Sequence, residues 1–118
     1  MAQFLMLLHD SPTDFEGMSP EDLESVIGEY VAWRRGLEER SLLVGSNKLE
    51  DEGGRDLSLV DGQLRVVDGP YSEAKEVLGG YFLIEAEDYD SAVEIASGCP
   101  HLRYGPRIEL RRVDTSVH

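Results

Sequence analysis

The sequence holds one cysteine, Cys99, so no intrachain disulfide can form and a reducing cytoplasm is the expected location. Basic residues are scarce too: 11 Lys and Arg stand against 24 Asp and Glu, a formal net charge of −13. A polyanion of that size is repelled by phosphate backbones and by anionic lipid, which argues against nucleic-acid and membrane-surface partners. No apolar run reaches the length of a membrane-spanning helix, and no basic-then-apolar leader is expected at Met1. Metal binding lacks its usual spacing, because the histidines lie far apart and Cys99 has no C-x-x-C neighbour. Gly79-Gly80 lacks the helix and lysine that would make it a phosphate loop, so close backbone packing is its simpler reading, and no cofactor is expected. Internal repeats and low-complexity tracts are also missing.

What remains is a chain of 118 residues with 41% hydrophobic content, enough for one domain, residues 1–118, that buries about 65% of its unfolded surface. Residues 2–9 (AQFLMLLH) form a near-continuous apolar run, too short for a stable helix and suited to a central strand covered on both faces. Ser19-Pro20-Glu21-Asp22 reads as a helix start, with Ser19 capping and Pro20 in the first turn. Leu23, Val26, Ile27, Tyr30, Val31 and Leu37 share one face of that helix, which should run to about Arg40. Residues 42–45 are expected as a second strand and residues 47–55 as a mobile loop. Asp61-Gly62 between two short apolar segments predicts a hairpin, because both turn positions need positive φ. Gly79-Gly80 opens a strand over 81–85, Asp88 caps a second helix that Gly98 ends, and residues 108–113 alternate as a last strand.

This order predicts an α+β, ferredoxin-like (split βαβ) antiparallel sheet with both main helices on one face and an inserted β-hairpin. The strands carry more apolar residues than one buried face explains. A second copy packed sheet against sheet supplies the cover, giving a symmetric homodimer, a dimeric α+β barrel.

The segment from Val67-Asp68-Gly69-Pro70-Tyr71 through Glu73, Lys75 and Glu76 to Leu78-Gly79-Gly80-Tyr81 resembles the signature of the YCII-related family, in its DGPF branch. The second helix, Cys99-Pro100-His101-Leu102 and Ile108-Glu109-Leu110-Arg111 fit the same pattern. Tyr71 stands where Phe is usual and Arg112 where Pro is more frequent, while Asp56-Leu57-Ser58-Leu59 replaces a threonine-rich strand bearing an Arg. The resemblance implies a dimer with a cleft holding a His-Asp pair. It also implies a fold similar to muconolactone isomerases and small monooxygenases, and kinship with a group that removes chloride from hydroxylated aromatics.

From the residues themselves, Asp68 either braces its Gly69-Pro70 turn or points a carboxylate into the cleft as general acid or base. His101, following Pro100 at a helix end, is its expected catalytic partner, against a loop or dimer-seam role; His9 at the end of the first strand is the second candidate. His118 is terminal and carries no expectation of order. Glu73, Lys75 and Glu76 are read as a solvated short helix or as ligand contacts, and Tyr71 and Tyr81 as sheet packing or as a stacking platform. Arg103 and Arg107 could counter a substrate's charge. Cys99 is read as a small apolar residue rather than a nucleophile. Three function classes stay open: a cofactor-independent lyase or isomerase acting on a small carbonyl or hydroxyaromatic compound, a non-catalytic ligand-binding or regulatory module, and a structural homodimer serving a protein partner in a transcription-linked system.

Overall fold

The computed structural model describes residues 1–11, 14–69 and 76–116. Its strands are β1 (Ala2–Asp10), β2 (Leu43–Lys48), β3 (Arg55–Val60), β4 (Gln63–Asp68), β5 (Val77–Ala86) and β6 (Arg107–Arg112). The helices are α1 (Pro20–Glu39), α2 (Tyr89–Ala96) and the single turn α3 (His101–Tyr104). A four-stranded sheet of order β2-β5-β1-β6 has every neighbouring pair antiparallel, while β3 and β4 form a separate two-stranded hairpin. Two βαβ units interleave in that order, so the ferredoxin-like arrangement with an inserted hairpin holds. No helix among the described residues is long and apolar enough to cross a membrane.

Local chemistry explains the element ends. Ser19 Oγ accepts from Asp22 N at 3.1 Å with Pro20 opening α1, and Asp88 Oδ1 accepts from Ser91 N at 2.8 Å to open α2. Asp61 (φ 51°) and Gly62 (φ 79°) both take the left-handed conformation that a two-residue hairpin turn demands.

Strand alternation sends Phe4, Met6 and Leu8 of β1 and Phe82, Ile84 and Ala86 of β5 into one layer, where Leu37, Ala92, Ala96 and Cys99 close the core. Phe4 meets Tyr89 edge-on at 4.9 Å and Phe82 meets Trp33 at 5.1 Å, pinning α2 and α1 to the sheet. The opposite face, with Leu5, Leu7, Tyr81 and Leu83 paired across β1 and β5, is only half-buried. The expectation that the first strand is covered on both faces is therefore corrected for the single chain. Its Cα atoms span 48 × 46 × 18 Å, one sheet and one helical layer thick.

Other differences follow from packing that periodicity does not carry. On α1 only Val26 and Leu37 are buried; Leu23, Ile27 and Val31 stay exposed, because the helix rests on the sheet through a narrow strip. Asn47 and Lys48 belong to β2, not to a loop, since β5 continues far enough to pair them with Tyr81 and Gly80. Gly79 and Gly80 lie inside β5 rather than before it. Of the short helix expected after the Gly69-Pro70 turn, Glu73 and Lys75 lie outside the described residues, as do Tyr71 and His118, while Glu76 stands just before β5 and is not helical.

Candidate functional site

The end of β1 builds the site. In its pairing with β5 the register shifts between Leu8, opposite Gly80, and His9, opposite Leu78, so Gly79 is the extra residue of a β-bulge. Bulges re-aim the side chains beside them. His9 turns its imidazole toward Glu109, with Nε2 and Oε1 3.0 Å apart. Asp10 turns its carboxylate toward α3, with Oδ1 at 3.7 Å from His101 Nε2.

His101 is 2% exposed and, among the described residues, is the one charged or polar side chain in the buried set. Both ring nitrogens are occupied: Nε2 lies 2.7 Å from the His9 carbonyl oxygen and Nδ1 lies 2.8 Å from Tyr30 Oη. A carbonyl only accepts, so Nε2 carries the hydrogen and Nδ1 of the neutral ring accepts from the Tyr30 hydroxyl. Burial pushes the Tyr30 phenol far above its ordinary range, which keeps that hydroxyl a donor.

Asp10 is the accessible member of the group, its side chain 30% exposed. Burial raises its carboxyl above the usual carboxylate range; His101 opposes that shift and Asp14 adds to it by like charge. A carboxyl raised in this way sits closer to the protonation balance needed for acid–base work than an exposed one.

α3 reaches α1 through consecutive residues. Tyr30 bonds His101, while Glu29 takes both the Arg103 guanidinium and the Tyr104 hydroxyl. The Tyr104 hydrogen bond, with the Arg103 contact, holds the Glu29 carboxyl below its ordinary range. Arg103 is thus engaged in clamping α3 to α1. On the half-buried sheet face, Arg107 Nε bonds Glu76 Oε1 at 2.9 Å and Arg111 lies 3.3 Å from Glu109. The His9 hydrogen bond, then Arg111, lowers the Glu109 carboxyl.

Asp68 does not meet His101. It ends β4 with its side chain 84% exposed and ion-paired to Arg55 at 3.1 Å, closing the base of the hairpin. Tyr81 accepts a 2.8 Å hydrogen bond from Asn47 Nδ2 on the neighbouring strand. Cys99 is buried, and burial lifts its thiol to about 11, so it is protonated and unreactive near neutral pH. Sequence reading singled out His101 and His9 but missed Asp10 and Tyr30. A usable signal was the charged residue closing the first apolar run, one position beyond His9.

No group of metal-ligating side chains occurs among the described residues. A cleft of about 430 Å³ at the far end of the sheet, lined among others by Trp33, Arg40, Glu85 and Glu87, includes neither Asp10 nor His101.

The fold is similar to that of 5-chloro-2-hydroxyhydroquinone dehydrochlorinase from Burkholderia phenoliruptrix AC1100, solved in complex with 2,5-dihydroxybenzoquinone. The two share 17% identity and a TM-score of 0.51 over 95% of this chain and 93% of that one. Among curated proteins, none matches the chain. Residues 2–113 match the model of the YCII-related domain, nearly the whole sequence, and the chain belongs to the YCII-related family.

Proposed function

We propose that the protein is a cofactor-independent acid–base enzyme of the lyase or isomerase type, acting on a small carbonyl or hydroxyaromatic compound with Asp10 as the proton-transfer group. The observation that carries this reading is a half-buried carboxyl, raised above its ordinary range, set 3.7 Å from a fully buried histidine. As a carboxylate, Asp10 takes a proton from the substrate. The bonding pair left behind either expels a leaving group or moves along the conjugated system, where a proton is returned. His101, held at both nitrogens, positions Asp10 and offers its Nε2 hydrogen as an alternative partner when the carboxylate carries charge. This arrangement takes the place of the Asp68–His101 pair expected from the sequence. Tyr81, Arg107 and His9 lie across β1 and β5–β6 on the half-buried face, and Tyr71, Glu73 and Lys75 remain candidate ligand contacts of the signature segment.

The dehydrochlorinase of similar fold acts on a chlorinated hydroxyquinol, which makes hydroxylated quinols and quinones the first compounds to try. Turnover is followed by absorbance for the wild type and Asp10→Asn. Turnover lost in Asp10→Asn while binding persists supports the reading. Turnover equal in both variants removes Asp10 from the chemistry. The second reading is a binding module without turnover, favoured by the 2% exposure of His101, which keeps the imidazole from touching a ligand; binding with no turnover by either protein selects it.

The working form is proposed to be a homodimer. Leu5, Leu7, Tyr81 and Leu83 form an apolar sheet face that the described part of their own chain leaves half-buried, and the hairpin carries Leu57, Leu59, Leu64 and Val66 exposed on one side. A second copy covers such surfaces by twofold symmetry.

A further inference from the structure

We propose that Gly79 and Gly105 are positioning residues of the site: side-chain-free seats that let the Asp10 carboxylate and the His101 ring close on each other. The inference rests on the reading of Asp10 and His101 as the working pair, and it adds what holds that pair together.

A Cβ built on Gly79 overlaps Asp10 Oδ2 outright and falls 2.5 Å from Cγ and 3.1 Å from Oδ1, closer than the 3.0 Å at which real Cβ contacts essentially stop in the first cases. The nearest atoms are all from the one carboxylate. A Cβ built on Gly105 likewise overlaps His101 Cε1 and Nε2 and falls 3.0 Å from Cδ2, again atoms of one ring. Each glycine is filled, in effect, by one member of the pair.

Neither position needs glycine for its backbone. Gly105 has φ −109° and ψ 170°, extended values open to any residue. Gly79 is outside the left-handed set, which among the glycines comprises Gly17, Gly54 and Gly62. Gly79 O accepts from Leu49 N at 2.9 Å and Gly105 N donates to His101 O at 2.7 Å, bonds that an alanine would keep.

The bulge at Gly79 gives the seat its purpose. It presents bare backbone to Oδ2 and leaves Oδ1 turned to His101, so one surface fixes the carboxylate's rotation as well as its depth. A methyl group at 79 would swing the carboxylate outward and undo the burial that raises its proton affinity. A methyl group at 105 would push the imidazole off the His9 carbonyl and off Tyr30.

The test is a pair of double-mutant cycles on the full chain, read by urea midpoint and by carboxyl NMR titration of Asp10. Gly79→Ala is expected to lower the midpoint in the wild-type background and to leave it unchanged in an Asp10→Ala background. In Gly79→Ala itself, the Asp10 titration should move back down toward the ordinary carboxylate range. Gly105→Ala should behave the same way against His101→Ala. Should Gly79→Ala fail to fold, a folded Asp10→Ala/Gly79→Ala protein supports the proposal and an unfolded one overturns it. Equal losses in both backgrounds, or an unmoved Asp10 titration, also overturn it. Failure to find any turnover would count against the enzyme reading alone, because these readouts need no substrate.

Discussion

The carbonyl of His9 accepts from Nε2 of His101 at 2.7 Å, while the His9 imidazole bonds Glu109 instead. One residue of β1 therefore joins a buried histidine on the helical side to a charged cluster on the half-buried side. The link fixes which nitrogen of His101 carries hydrogen, because a backbone carbonyl cannot donate.

Tyr30→Phe removes the hydroxyl that Nδ1 accepts from and leaves that buried nitrogen unpaired. Loss of a buried partner costs about 1–3 kcal/mol, so a urea-unfolding series should show a fall of that size. Nitrogen NMR of the wild-type ring should report Nε2 as the protonated site in the neutral form. A protonated Nδ1 would reverse the assignment.

Asp10 carries the pH dependence. Its carboxyl is raised in the folded chain, so ionising it opposes folding. The favourable contribution is fully present below the ordinary value of 3.8 and is lost as pH rises through the raised folded value. Asp10→Asn, which cannot ionise, should therefore gain stability relative to wild type at neutral pH, with the gain shrinking as pH falls through the acid range. Parallel unfolding curves across that range decide it; a gain that grows on acidification would contradict the assigned direction.

Asp68→Asn should change stability by less than about 1 kcal/mol, since its partner Arg55 and its own side chain both face solvent. Added salt should shrink even that difference. A larger loss would mean that the carboxylate braces the turn beyond the exposed ion pair. A small loss is explained by the exposure of the pair alone and says nothing of a site role for Asp68.

Much of the fold was legible because its determinants are local. Ser19-Pro20 opens a helix and Asp61-Gly62 turns a hairpin through chemistry written within a few adjacent residues. The site was less legible because its members come from distant places. Tyr30 and His101 are 71 positions apart, and His9 and His101 are 92 apart. The Asp10 approach also depends on a bulge at Gly79, and no period reveals an extra residue in a strand. Asp68 drew notice because its turn motif is local, whereas the partner that places it in the structure is Arg55 across the hairpin. α3 is one turn long, too short for any helical period to show.

Cys99 should resist thiol reagents in the native state. It is 3% exposed, and burial holds its thiol at about 11, so thiolate is rare at pH 7–8. Modification by a maleimide should be slow under native conditions and rapid in denaturant. Equal rates would show that the segment around Pro100 opens readily, and with it the seat of His101.

The hairpin should matter to assembly more than to the core. β3 and β4 pair through Leu57↔Val66 and Leu59↔Leu64, which places these side chains on one face, and Leu59 and Leu64 are 72% and 63% exposed. A two-stranded hairpin is marginal in water by itself, so this arm gains most from a cover beyond its own chain. Burying a leucine contributes about 1.5–3 kcal/mol, and replacing both with lysine should weaken a dimer built on this face by at least about a hundredfold. Sedimentation should give the wild type twice the chain mass of 13.2 kDa and the Leu59→Lys/Leu64→Lys variant the single-chain mass at the same concentration. The far-ultraviolet dichroism of the variant should stay native, because the core around Phe4, Met6 and Ile84 is untouched. A wild type that sediments as one chain would end the homodimer proposal. A variant that remains dimeric would move the seam to the sheet face of Leu5, Leu7 and Leu83.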